Sequence, residues 1–511
     1  TWQVADINSG ADSSYPGQLM EILVGDTLYF DATDGSSGIE LWAHDTSNAS
    51  TWQVADIHSS GSSNPGDKMA IIVGDTLYFD ASDGSSGWEL WAHDTSNAST
   101  WQVADIFSGS TSSNPGYNMD AILVGDTLYF DATDASSGIE LWAHDTSNAS
   151  TWRVADISSG SSGHSYPGQL MEILVGDTIY FSATDASSGH ELWAHDTSNA
   201  STWRVADINS GSVSSSPGNY MSILVGDTLY FNANDGSSGK ELWAHDTSNA
   251  STWRVTDINS GSASSNPGAY MSILVGDTLY FSAEDGSSGR ELWAHDTSNA
   301  STWRVTDIRS GGSSSSPGLY MEILVGDTLY FDANDGSSGK ELWAHDTSNA
   351  STWRVTDINS GTASSNPGAY MSILVGDTLY FNADDGSSGQ ELWAHDTSNA
   401  STWRVADVYS GTASSNPGAY MSILVGDTLY FSADDGSSGY ELWAHQPGEI
   451  TSLSSGSGSG SGTTTNGNGT TWQVADINSG ADSSYPGQFM EILVGDTLYF
   501  SATDGSSGKE L

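Results

Sequence analysis

Cysteine is absent from the 511 residues, which excludes disulfide bridges and thiolate metal centres. Positive charge is scarce: 12 Lys and Arg stand against 64 Asp and Glu, a formal net charge of −52. A field of that sign repels phosphate backbones and acidic headgroups, so nucleic acid and anionic membranes are excluded as partners. No apolar run reaches the ~20 residues a membrane-spanning helix needs, no secretory leader is visible, and no window carries helical periodicity. Strong acidity marks disorder only where aromatics are few. Here 20 Trp, 21 Tyr and 12 Phe recur at fixed places, so the chain is folded. The acidity suits a saline setting or divalent cations at the surface.

What the chain does contain is one block of about fifty residues, written ten times. The frame restarts at Thr1, Thr51, Thr100, Thr151, Thr202, Thr252, Thr302, Thr352, Thr402 and Thr471. Within one block, Met20-Glu21-Ile22-Leu23-Val24 and Thr27-Leu28-Tyr29-Phe30-Asp31-Ala32 flank Gly25-Asp26, the signal of a tight hairpin. Asp34-Gly35-Ser36-Ser37-Gly38 is a second turn. Glu40–His44 reads as a third strand, Asp45–Ser50 as a third turn, and Thr51–Ile57 as a fourth strand. A Ser/Gly loop with one proline leads on. Four antiparallel strands per repeat predict an all-β fold: a β-propeller of four-stranded blades, about fifty residues each, nine or ten in number. The rival, an open β-solenoid, has shorter coils and lacks the hairpin. Strands apolar on successive residues suit sheets covered on both faces, with Trp2, Trp42, Tyr29, Phe30 and Met20 expected between blades.

The array changes after His445, where Gln446-Pro447-Gly448 replaces the usual turn and a Ser/Gly/Thr-rich stretch follows. The expected organisation is a nine-repeat propeller over 1–448, a flexible linker over 449–470, and a truncated tenth repeat over 471–511. That last copy is either the start of a second array or a tenth blade, with the first reading favoured. Its Ala481-Asp482-Ser483-Ser484-Tyr485 repeats Ala11–Tyr15, a string no other copy has. Closure of nine blades would pair Thr1–Ile7 with Glu441–His445. Starting inside a repeat and stopping at Leu511 within a motif suggests a monomeric ring in a longer chain.

Gly25-Asp26-Thr27-Leu28-Tyr29-Phe30, Asp34-Gly35-Ser36-Ser37-Gly38 and Glu40-Leu41-Trp42-Ala43-His44-Asp45 together resemble the ELWxxDGT repeat family. The resemblance covers nearly the whole chain apart from 446–470. The sequence departs from it after the aspartate, reading Asp45-Thr46-Ser47 rather than Asp-Gly-Thr. The resemblance implies a large extracellular or cell-surface protein of mostly undefined activity.

Comparison among copies separates constant from variable places. Gly25-Asp26 and Asp45–Ser50 barely change. Variation gathers after the fourth strand, before Glu-Leu-Trp and before Met, positions that share one end of a blade. Trp88, Phe107, His190, Lys240, Arg290, Lys340, Tyr409 and Tyr440 form the predicted binding rim. Drift at exposed loop tips produces the same distribution.

Three further patterns bear on chemistry. Asp31 and Asp34, with Asp80, Asp83, Asp131 and Asp134, place two carboxylates near a turn, a pattern suited to Ca²⁺, although Asp-Gly is also simply a good turn pair. No other cofactor is expected. His44-Asp45 recurs in eight copies, one His per blade, and cannot converge on one ion; it reads as a strand end with a capping acid. Glu40 precedes Leu-Trp in every copy, where bonding to a neighbouring blade's backbone or pairing with Arg153-type residues suits it better than catalysis, because ten equivalent carboxylates lack unequal environments. Asn48, Asn97, Asn148, Asn199, Asn249, Asn299, Asn349 and Asn399 head N-glycosylation sequons. The reading is a non-enzymatic extracellular or cell-surface module that binds a glycan or protein ligand, or adheres. The alternatives are a purely structural spacer and, third, a sialidase-type hydrolase.

Overall fold

The structure, a computed structural model, describes residues 1–9, 12–159, 163–448 and 469–511. These contain nine four-stranded antiparallel sheets and two two-stranded ones, with no helix among the described residues. The chain is an all-β protein of repeated β-propeller blades.

The first blade shows how sequence becomes sheet. Its strands are Glu21–Val24, Thr27–Thr33, Ile39–Asp45 and Ser50–Ala55, paired in chain order. Gly25, at φ +59°, supplies the left-handed turn residue that sets Val24 opposite Thr27. Side chains alternate across the pleat, so Tyr29, Leu41 and Ala43 share one face, while Leu28 and Phe30 share the other. Tyr29, Leu41, Ala43 and Met20 pack against Leu77, Phe79 and Ala81 of the next blade. The same interlock recurs along the chain. Full burial of a Leu or Phe side chain is worth roughly 1.5–3 kcal/mol, so these interfaces dominate stability. His44 joins them: it is buried, its Nδ1 lies 2.8 Å from Thr51 Oγ1, and the ring of its counterpart His93 lies 5.4 Å from that of Tyr29, tilted by 50°.

One packing expectation fails. Trp42-type residues are half-buried on the interface, but Trp52 is 39 % exposed and Trp2 69 %. The fourth strand is the last in each sheet, so its Trp has a neighbouring strand on one side only.

Contacts divide the chain into two compact units, residues 17–317 and residues 1–16 with 318–511. The first carries the sheets from Glu21–Val24 through Ser301–Arg304. The second carries those from Glu322–Val325 onward together with the N-terminal segment. In this unit, the third strand Tyr440–Gln446 pairs with Thr470–Ala475, not with Thr1–Ile7 as a nine-blade closure requires. Val4 N instead donates to Leu511 O at 2.9 Å. The tenth copy repeats the Thr-Trp-Gln-Val strand of the first, so either can serve as a fourth strand, and the copy nearer in sequence takes the ninth sheet. Most of the expected linker, 449–468, lies outside the described residues.

Candidate functional site at the loop ends of the blades

Each blade has a turn end, holding Gly25-Asp26 and Asp45–Ser50, and a loop end, holding Asp34–Gly38 and the connection to the next repeat. The variable residues belong to the loop end, and two buried acids organise it.

Glu40 is fully buried. Its Oε2 accepts from Ile57 N at 2.7 Å and its Oε1 from Ser63 N at 3.0 Å, while Ser63 Oγ lies 2.8 Å from Oε2. The third strand thereby clamps the loop that leads to the next blade. Burial outweighs these donors and pushes the carboxyl up, to about 7 in Glu89, Glu191 and Glu291. Ser63 Oγ is also 3.2 Å from Ile39 O. Having one proton, the hydroxyl serves one of the two acceptors; a neutral glutamic acid donating to Oγ lets Ser63 donate to Ile39 O.

Asp31 is the second clamp. Its Oδ1 accepts from Leu19 N at 2.8 Å and Met20 N at 3.1 Å, fixing the entry to the first strand. Burial raises it to about 6 against those two donors. Where the aspartate is replaced, the acceptor remains: Asn232 Oδ1 takes Tyr220 N at 2.8 Å, and Ser182 Oγ takes Leu170 N at 3.0 Å. Asp34, three residues on, lies in the exposed turn. Desolvation raises it, yet the N–H and hydroxyl groups of Ser36 and Ser37 hold it down at about 2. Asp80 and Asp83 divide in the same way, to about 7 and about 2. Asp131 accepts from Asn118 and Met119, and Asp134 from Ser136 and Ser137. The paired carboxylates expected to share a Ca²⁺ ion thus serve separate donors of the chain. Among the described residues, no group of three or more His, Cys, Asp or Glu is placed to hold a metal ion.

The predicted rim residues lie deeper than expected. His190, Arg290 and Lys340 are buried; Trp88, Phe107, Lys240, Tyr409 and Tyr440 are half-buried. The residue before Glu-Leu-Trp faces the Asp31 side of the sheet, and the next loop covers it: Ile39 O accepts from Ser63 N at 2.9 Å. His190 Nδ1 meets Thr184 Oγ1 at 2.7 Å and is pushed down by burial to about 4. Tyr409 lies over Gly436, where a Cβ would come within 2.2 Å of its ring.

What reaches solvent is the residue before Met. In five successive copies this is tyrosine, and the first four, Tyr220, Tyr270, Tyr320 and Tyr370, are 42–49 % exposed. The third-strand cation, half-buried in Lys240 and buried in Arg290 and Lys340, supports the ring. Lys240 lies 4.8 Å from the centroid of Tyr220, Arg290 4.9 Å from Tyr270, and Lys340 4.8 Å from Tyr320. Lys340 also meets Asp332 at 2.9 Å. In the 318–511 unit the pattern condenses further. Tyr420 contacts Tyr440 and Tyr485 edge-on, each at 5.0 Å, and Lys509 lies 5.0 Å from Phe489. Sequence reading noted this position's variability but assigned it no role. The signal was the pairing between copies, Tyr before Met with Lys or Arg before Glu-Leu-Trp. Six of the remaining cations, Arg153, Arg204, Arg254, Arg304, Arg354 and Arg404, pair on fourth strands with the Asp134-type turn carboxylate.

The sequon asparagines sit in the exposed turn at the opposite end. Asn48 Nδ2 donates to Asp45 Oδ2 at 2.6 Å, and Asn48 Oδ1 accepts from Ser50 N at 3.0 Å. Asn97, Asn148, Asn199, Asn249, Asn299, Asn349 and Asn399 repeat that arrangement.

No family model and no curated protein matches the chain. Solved structures similar to it include the computationally designed protein Ika8, at 11 % identity and a TM-score of 0.33, covering 74 % of this chain and 96 % of that one. BamB from Moraxella catarrhalis matches at 15 % identity and a TM-score of 0.31, covering 74 % and 96 %. A puromycin hydrolase matches at 11 % identity and a TM-score of 0.32, covering 76 % of this chain and 60 % of the hydrolase. At these values nothing of their activities transfers to this chain.

Proposed function

We propose that the protein is a non-catalytic binding or adhesion module of an extracellular or cell-surface protein, in keeping with the ELWxxDGT resemblance. Its ligand is a neutral surface glycan. The observation that carries this reading is the run Tyr220, Tyr270, Tyr320 and Tyr370, half-exposed rings at one position of successive repeats, three of them backed by a third-strand cation. Flat aromatic faces suit the apolar faces of sugar rings. A ring held from beneath loses little freedom on binding, and repeated weak sites add by avidity. The net charge of −52 disfavours anionic ligands. The buried glutamates do not suggest catalysis, since each is engaged by the backbone of its own repeat connection.

The test is a chain carrying Tyr270→Ala, Tyr320→Ala and Tyr370→Ala, compared with the parent for retention on immobilised neutral oligosaccharides. The expected result is a tenfold or greater loss of retention with an intact melting transition. Equal retention, or no retention by the parent, overturns the glycan reading in favour of the structural spacer.

A further inference from the structure

The ninth copy differs from the others at three positions at once. Before Met, before Glu-Leu-Trp and in the loop that follows, it carries Tyr420, Tyr440 and Tyr485, and no other copy is aromatic at all three. The rings meet. Tyr420 lies 5.0 Å from each partner between centroids, at 90° to Tyr440 and 79° to Tyr485. Tyr440 and Tyr485 stack at 6.1 Å and 22°.

These rings come from two segments of chain. Tyr420 and Tyr440 belong to the ninth repeat and Tyr485 to the tenth, with the Ser/Gly/Thr-rich stretch between them in sequence. Backbone bonds anchor both sides of the contact. Tyr420 N donates to Ser432 Oγ at 2.9 Å. Ser484 N donates to Tyr440 O at 2.9 Å and to Glu441 Oε1 at 3.1 Å, which holds Tyr485 at φ +48° against the ninth sheet.

The three phenols differ in access and in orientation. Tyr485 is 36 % exposed, within reach of an oxidant in solution, whereas Tyr420 and Tyr440 are half-buried. Lys509 Nζ lies 5.4 Å from the Tyr485 centroid and disfavours a positively charged ring. An electron leaving Tyr485 therefore takes the phenol proton with it, and solvent receives that proton. Tyr440 is held back, because its hydroxyl accepts from Asn416 Nδ2 at 2.7 Å and its ring lies flat against Tyr485. Stacked rings offer each other their faces. The crossed pair of Tyr420 and Tyr485 brings a ring edge, where the carbons ortho to oxygen lie, to the contact.

We propose that Tyr420 and Tyr485 are an oxidative cross-linking site, joined as an intramolecular dityrosine by a haem peroxidase with hydrogen peroxide. Each phenol gives up one electron and its proton, leaving two neutral phenoxyl radicals. A carbon–carbon bond forms between positions ortho to the two oxygens. Each coupled carbon then loses its hydrogen as a proton and each oxygen regains one, which restores both aromatic rings. The chain loses two hydrogens in all, and the peroxide is reduced to two waters. The bond ties the ninth repeat to the tenth and closes the intervening chain into a loop.

The experiment treats the full chain, at low concentration, with a haem peroxidase and limiting hydrogen peroxide, then isolates the monomer and maps it by mass spectrometry. The expected product is a joined peptide carrying Tyr420 and Tyr485, lighter by two hydrogens than its parts, with dityrosine fluorescence in the monomer. Tyr420→Phe and Tyr485→Phe keep the ring and remove the phenol, and each should lower that fluorescence at least tenfold. Tyr220 and Tyr270, each 42 % exposed but backed by a cation, should not be joined to one another. Absence of dityrosine from the monomer, its persistence in either Phe variant, or equal coupling of Tyr220 with Tyr270 overturns the proposal.

Discussion

At the turn end of each blade the carboxylates bond to near neighbours, whereas at the loop end the two buried acids hold distant segments. Asp45 Oδ1 accepts from Ser47 N at 2.9 Å, and Thr46 N reaches across to Asp26 O at 2.8 Å. Asp31 and Glu40 are spent instead on Leu19, Met20, Ile57 and Ser63. The contrast explains the pattern of change between copies. A turn that satisfies itself specifies nearly every residue it contains. A clamp such as Asp31 needs only an acceptor, so Asp, Asn and Ser interchange there, and the residues around it are free to become the Tyr-over-cation pairs.

The sharpest way to break this comparison is to remove a clamp at the loop end. Glu291→Ala strands Ile308 N and Ser315 N in a buried site, where each unmade bond costs about 1–3 kcal/mol. A loss on the order of 3 kcal/mol is expected in urea unfolding. Ser298→Ala at the turn end, which removes one exposed hydroxyl bond to Asp296, should cost under about 0.5 kcal/mol. Equal losses would show that the two ends are not distinct.

Titration separates the ends next. Nine glutamates, from Glu89 to Glu510, are raised by burial to about 7 from 4.5. Their contribution is complete below about 4.5 and is lost as pH rises through about 7. The buried His93-type imidazoles are lowered from 6.5, so their contribution is complete above 6.5 and is lost in acid. Between these values the two sets oppose; above 6.5 the glutamates govern. The melting temperature should therefore fall from pH 6.5 to 8, and Glu291→Gln should lessen the fall. Asp34 and Asp83, held near 2, stabilise above their ordinary 3.8 and are lost only in strong acid. A melting temperature that rises from pH 6.5 to 8 would contradict buried neutral glutamic acids.

The smallest effect sharpens the turn end. Ala300 sits at φ +60°, in the left-handed region that costs a side-chain-bearing residue about 1 kcal/mol. Ala300→Gly should stabilise by about 0.5–1 kcal/mol, read as a higher urea midpoint. Ala49, Ala98 and Ala149 share the geometry, and their substitutions should add, since the turns are far apart.

The blades were legible in the sequence because their signals are local. Gly25-Asp26 sets a hairpin register within four residues, and the apolar runs on either side show faces covered twice. For Glu40 the sequence left open a neighbour's backbone or an Arg153-type partner; Ile57 N and Ser63 N take it, and Arg153 pairs with Asp134. Two features were not legible where a neighbour's backbone decides the outcome. Lys240 and Arg290 looked like displayed loop residues, yet they lie at the start of a third strand beneath the following loop. Asp31 and Asp34 offered either a Ca²⁺ pair or a plain turn, and the pleat and the turn send them to different donors.

The sequence by itself therefore determined the repeat, the four strands, their turns and the all-β class, since each depends on residues within one hairpin. Only the tertiary structure decided that Asp31 is a buried clamp, that Tyr220 stands over Lys240, that Trp52 faces outward, and that Thr470–Ala475 rather than Thr1–Ile7 completes the ninth sheet. Those outcomes depend on which segment covers a given sheet face, and near-identical repeats offer many equivalent segments. The choice falls to chain connectivity and burial, which no single copy of the repeat records.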